Sequence, residues 1–134
     1  SVKDAAGVKN CVAVLNKVGH HEVVMVVSAM GKMTNKLEQV VDNYFNNKNQ
    51  LVSTIAEVVD FHKVILMELF PNVSHPIHIK FQGLIEELKG FLSRNKSPNY
   101  SFVYDQVVSF GELLSTRIVL SALIMLSGLP RFPL

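Results

Sequence analysis

Cysteine occurs once in this chain, at Cys11, so no internal disulfide can form, and a lone thiol suits a reduced cytoplasmic protein better than a secreted one. Its apolar neighbours make it a core residue by expectation. Charge is scarce too. Charged residues make up 18% of the 134, and thirteen Lys and Arg against eleven Asp and Glu leave a formal +2 without a dense basic run. That balance excludes a general polyanion binder, and nucleic acid is not an expected partner. No apolar run reaches the roughly 20 residues of a membrane span. The longest, IVLSALIMLSGL at 118–129, follows Glu112 and Arg117 and reads as a buried helix, so no membrane partner is expected. The opening SVKDAAGVKN lacks the apolar centre of a signal peptide. Also missing are a Ser/His/Asp order, a Cys pair, a complete GxxxxGK[ST] or GxGxxG pattern, and any internal repeat. What abounds is apolar surface, 49% of residues, enough for one hydrophobic core at this length.

The apolar residues fall mostly at helical spacing. Val8, Cys11, Val12, Leu15 and Val18 recur every three or four positions and predict a helix from Lys3 to Val18, stopped by Gly19. Leu37, Val40, Val41, Tyr44 and Phe45 predict a second, with Thr34 or Asn35 as N-cap and NNKNQ at 46–50 closing it. A third stripe runs from Leu51 through Ile55, Val58, His62 and Ile65 to Leu69, ahead of Pro71. Ser74 is suited to cap a fourth, with Pro76 in its first turn and Ile77, Phe81, Leu84, Leu88 and Phe91 facing inward. After the loop SRNKSPNYS, 93–101, a final helix runs from about Phe102 to Ser127, apolar almost all round beyond Ile118, and Gly128 and Pro130 end it. The exception to the helical period is Val23–Val27. β-Branched apart from Met25 and without polar alternation, it predicts one strong strand, about 22–28, covered on both faces in a largely parallel sheet, and hence an α/β class. A lone strand makes no sheet, so the chain reads as part of a larger domain.

Two stretches could carry chemistry. Ser28, Ala29 and Gly31 follow the predicted strand, where open α/β sheets place their ligand crevice, and Thr34 and Asn35 stand where a helix N-terminus offers N–H groups to an anion. The same residues also suit a tight turn and a helix cap. In VVSFGELLSTRIV, 107–119, Ser109, Glu112, Ser115 and Thr116 share a helical face that Gly111 keeps partly open. The Glu112 carboxylate is there either solvated or set against a cation such as a ligand ammonium. His75 and His78 lack a third ligand and read as a surface pair, so no metal site is expected. His20 and His21 follow a helix end, and His62 reads as a satisfied, half-buried residue on an apolar stripe.

Taken in order, Ser1-Val2 followed by a helix with Asp4, then VVSAMGKMTNKL, then a long helical insert, then SFGELLSTRIV, resembles aspartate kinase of the amino-acid kinase family over nearly the whole chain. The resemblance implies the N-terminal, substrate-binding portion of a carbamate kinase-like αβα sandwich. It implies transfer of the γ-phosphoryl group of MgATP to the side-chain carboxylate of L-aspartate, the entry step to lysine, threonine and methionine. Ser28, Ala29 and Thr34 would lie at the aspartate site, Glu112 would hold the substrate's α-ammonium group, and Ser1 would edge the ATP phosphate loop. Of the family's opening Lys-Phe-Gly-Gly-Thr-Ser-Val only Ser1 and Val2 occur here, and LPRFPL is unlike the continuation into the nucleotide-binding half. The expectation is therefore a partial catalytic domain without a catalytic residue of its own, inactive alone, with ATP and Mg held mainly elsewhere and a homo-oligomeric parent. Lys32 departs from the pattern and reads as a solvated loop lysine. A non-catalytic helical interaction module, or another amino-acid kinase with a different small acceptor, are the alternatives.

Overall fold

The computed structural model describes residues 2–19 and 23–127. The elements are α1 (Ala5–Val18), α2 (Met33–Asn46), a 3-10 turn (Lys48–Gln50), α3 (Leu51–Leu69), α4 (Pro76–Arg94) and α5 (Tyr100–Ser127). Helix α5 is the hub, packed against α1, α2 and α4, while α3 packs against α1 and α2. The buried faces follow the expected stripes through Val8, Val12 and Leu15 of α1, Leu37, Val40, Val41 and Tyr44 of α2, and Ile55, Val58, Ile65 and Leu69 of α3, whereas Val18, expected in the first stripe, is exposed. In α4 the inward residues are Ile77, Phe81, Ile85, Leu88 and Leu92. Cys11 and Phe91 are only half-buried, at the margin of their stripes.

The helix ends differ from expectation in instructive ways. Asp4 caps α1, its carboxylate accepting from the Gly7 N–H at 2.7 Å, and Gly19 ends that helix at φ +86°. Helix α2 starts earlier than Thr34 or Asn35 would allow as caps: Lys32 is the N-cap, and its side chain caps nothing. Helix α4 is capped not by Ser74 but by His75, whose Nδ1 accepts from the Ile77 N–H at 3.1 Å. The His75/His78 pair, read as a surface pair, is half-buried and used locally, since His78 Nε2 stands 2.9 Å from the Phe70 carbonyl oxygen, to which it donates. His20, His21, Gly128 and Pro130 lie outside the described residues.

The expected α/β class is overturned. The described residues contain no strand, and the chain is helical throughout its regular structure. Val23–Val27 is not a strand covered on both faces. It is an irregular segment in which Met25 and Val27 pack on the core while Val24 and Val26 are 90% and 91% exposed. A strand exists only when a neighbour supplies the other half of its hydrogen-bond ladder, and no second segment among the described residues does so.

The second half of α5 is covered more selectively than its composition suggests. Ile118, Val119, Ala122 and Leu123 are buried, whereas Met125 and Leu126 are exposed. Over Tyr100–Leu126 the helix is long and apolar enough to cross a membrane by length and composition, a property shared with core helices of soluble proteins. Here it is the helix around which the others assemble.

His62 of α3 is fully buried rather than half-buried. Its Nδ1 donates to the Val58 carbonyl at 2.8 Å, which fixes the proton on Nδ1 and leaves Nε2 as a bare acceptor with no partner. The ring packs near Phe61 and Phe81, and burial lowers its pKa below the usual histidine range against the opposing pull of the Val58 carbonyl.

Candidate functional site

The turn between the Val23–Val27 segment and α2 is built on Gly31. Its φ of +54° is left-handed, and a β-carbon there would lie 3.3 Å from Phe61 Cζ, so glycine is required both by conformation and by space. The Gly31 N–H donates to the Val2 carbonyl at 3.0 Å, and the Met33 N–H donates to Met30 at 3.0 Å. Met30 is fully buried and anchors the turn. In the first turn of α2 the N–H groups of Thr34 and Asn35 find no acceptor among the described residues. Both residues are exposed, so the positive end of the α2 dipole meets solvent there, as expected from the sequence.

Helix α5 meets this turn through two contacts. The buried Ser115 hydroxyl donates to the Ser28 carbonyl at 2.5 Å, joining residues 87 apart in sequence. One turn earlier, a β-carbon on Gly111 would lie 2.5 Å from Leu37 Cδ1 and 3.2 Å from Ala29 Cβ. Gly111 therefore does not keep a face open. It lets α5 close against Ala29 and α2.

The polar face read from the sequence is split. Ser115 turns inward, the exposed Ser109 donates to its own helix at Gln106, and Glu112 and Thr116 remain exposed. Glu112 is next to Gly111, and Thr34 is one turn before Leu37, so the two flank the contact between Gly111 and Leu37. Ser28 and Ala29 are thus brought against α5 at Ser115 and Gly111, while Thr34 and Glu112 are exposed. Ser1 lies outside the described residues.

Among the described residues neither Glu112 nor Lys32 forms a salt bridge, and Lys32 is exposed as expected. The ion pairs among the described residues are Lys36 with Glu57, tying α2 to α3, and Lys89 with Glu86. No described group of three His, Cys, Asp or Glu side chains is placed to hold a metal. A cavity of about 380 Å³ lies elsewhere, between α3 and α4, lined by Val52, Ile55, Ala56, Val59, Asp60 and Lys89. None of the candidate residues borders it.

Sequence reasoning missed the part of Leu37 and the inward turn of Ser115. A glycine inside a helix costs about 1 kcal/mol relative to alanine, so Gly111 was itself a signal of close approach. Comparison of the chain with protein-family models, curated proteins and solved structures finds no match.

Proposed function

We propose that the 28–35 turn and the α5 surface at Glu112 form the acceptor side of a cytoplasmic kinase that phosphorylates the side-chain carboxylate of L-aspartate with MgATP. The observation that supports this best is the hydrogen bond from Ser115 to Ser28. It joins VVSAMGKMTNKL to SFGELLSTRIV, the two stretches that carry the resemblance to aspartate kinases, although a long helical insert separates them. In this reading the free N–H groups of Thr34 and Asn35, with the Thr34 hydroxyl, receive the acceptor carboxylate. The unpaired Glu112 carboxylate receives the α-ammonium group by a charge-assisted hydrogen bond. ATP and magnesium supply the phosphoryl group and its charge neutralisation, and these residues position the acceptor. Catalysis of this kind is mostly orientation and electrostatics.

Titration of the isotopically labelled chain with L-aspartate tests the reading. Amide signals of residues 28–35 and of Glu112 should shift, L-asparagine should shift them less, and Glu112→Gln should weaken aspartate binding by roughly 1.5–3 kcal/mol, about tenfold to hundredfold. Absence of shifts at these residues, or aspartate binding unchanged in a folded Glu112→Gln protein, removes the assignment.

A further inference from the structure

A strip of aromatic side chains runs along the seam between α2 and α5 and is edged by acid. Glu38, Asp42 and Phe45 fall four and three residues apart and so share one face of α2, as Tyr100 and Tyr104 share one face of α5. The seam joins the two faces. The Phe45 and Tyr100 rings lie 5.6 Å apart at 33°, and the Tyr100 and Tyr104 rings 6.3 Å apart at 20°, so the three planes follow one another at shallow angles. Contacts of Phe45 with Tyr100 and of Leu37 with Gly111 make the helices antiparallel, which sets Asp42 roughly level with Tyr104 and Glu38 one turn further along α5. Tyr100 is 40% exposed, Phe45 and Tyr104 are partly exposed and both carboxylates are exposed, so the strip opens to solvent.

Among the described residues no cation pairs with those carboxylates. The ion pairs use Glu57 and Glu86 instead, and Asp42 accepts from an uncharged donor, the Asn46 amide, at 2.8 Å. The acid edge is felt at the rings: the Tyr100 phenol is held above its usual pKa near 10, first by desolvation and then by Glu38, Asp42 and Tyr104. A ring face attracts a cation through its quadrupole, and the protein uses that contact on the adjoining ring, where Lys48 Nζ stands 5.4 Å from the centre of Tyr44. Shape then selects among cations. A guanidinium is planar, stacks flat on aromatic faces and directs forked N–H groups at carboxylates, whereas an ammonium is a compact, strongly hydrated point charge. We propose that Phe45, Tyr100 and Tyr104, with Glu38 and Asp42, bind a guanidinium group, laid on the ring faces with its N–H groups towards the two carboxylates. The site is independent of the kinase reading, since it uses none of Ser28, Ala29, Thr34 or Glu112.

Methylguanidinium is the probe, titrated into the full chain and followed by NMR, with methylammonium and neutral methylurea alongside. Ring signals of Tyr100 and Tyr104 should shift with methylguanidinium, less with methylammonium and not with methylurea, and added salt should weaken the response. Tyr100→Leu and Glu38→Gln replace exposed side chains, so both should keep the helical circular dichroism, and each should weaken binding about two- to fivefold. Comparing L-arginine with N-acetyl-L-arginine amide separates the sources of the group. Binding of the blocked form at least as tight as that of L-arginine assigns the site to an arginine of another polypeptide, and tighter binding of L-arginine assigns it to the free amino acid. No ring shift with methylguanidinium, shifts that methylurea reproduces, shifts confined to Tyr44, or affinity unchanged in both folded variants would each overturn the proposal.

Discussion

Two apolar runs in this molecule have opposite fates. Ile118–Leu123 is covered wherever it faces α1, α2 or α4, whereas Val23–Val27 leaves Val24 and Val26 almost wholly in water. Hydrophobicity does not separate them. The difference is in where each backbone finds its hydrogen bonds. A helix satisfies its own ladder and asks its neighbours only for cover, which α5 receives from three sides. A strand needs cover and also a second strand, and for Val23–Val27 the described residues supply only the cover, and only on one face.

The largest expected effect probes the covered run. Ile118→Ala removes a side chain that is buried in the packing around α5, and cavity formation adds to the lost transfer energy. A loss of about 2–5 kcal/mol is expected in chemical denaturation. A loss below about 1 kcal/mol, the size expected of a half-covered site, would break the contrast between the two runs.

That contrast also explains how much was legible beforehand. The five helices could be read because the partner of each apolar stripe is simply the rest of the core, so Val8, Leu37, Val58 and Phe81 needed no knowledge of which neighbour covers them. Caps were less legible. Ser74 and Thr34 have the right chemistry, but His75 and Lys32 hold the positions, because the preceding turns fix where each helix begins. The strand was not legible, since a ladder partner is a property of another segment and not of VVMVV. For the candidate site, the turn at 28–35 was readable from local residue types, whereas Glu112 was left open between solvent and a cation. The closure of Gly111 on Leu37 and Ala29 was not, because it depends on the long-range approach of α5 to α2.

A second way to sharpen the comparison is to disturb the covered side by acid. His62 is buried and neutral, with burial holding its pKa below the usual value near 6.5. Above about pH 6.5 neither the folded nor the unfolded state binds the proton, and the residue adds no pH dependence. As pH falls below that value the unfolded chain takes up a proton that the folded chain refuses, so stability drops by up to about 1.4 kcal/mol per pH unit until the lowered folded-state pKa is reached. His62→Leu should flatten this part of the profile. Because it also removes the unpaired Nε2 acceptor, it should cost little stability at neutral pH. Equal acid sensitivity in the wild-type and His62→Leu chains, followed by denaturation midpoints from pH 7 downward, would show that the destabilisation arises elsewhere.

The smallest expected effect belongs to the uncovered run. Val26 is 91% exposed, so replacing it with serine removes almost no buried apolar area and should change stability by no more than about 0.5 kcal/mol. Val27→Ser, one residue on, strips a side chain that packs against the core and should cost distinctly more, though less than the roughly 1.5–3 kcal/mol of a fully buried valine. The two substitutions have the same chemistry, the same sequence neighbourhood and the same loss of β-propensity, so any difference between them isolates the cover on one face of the segment. If the two variants unfold at the same denaturant concentration, the alternation of faces along Val23–Val27 is absent in solution. If Val26→Ser proves the more damaging, Val26 is buried within the chain.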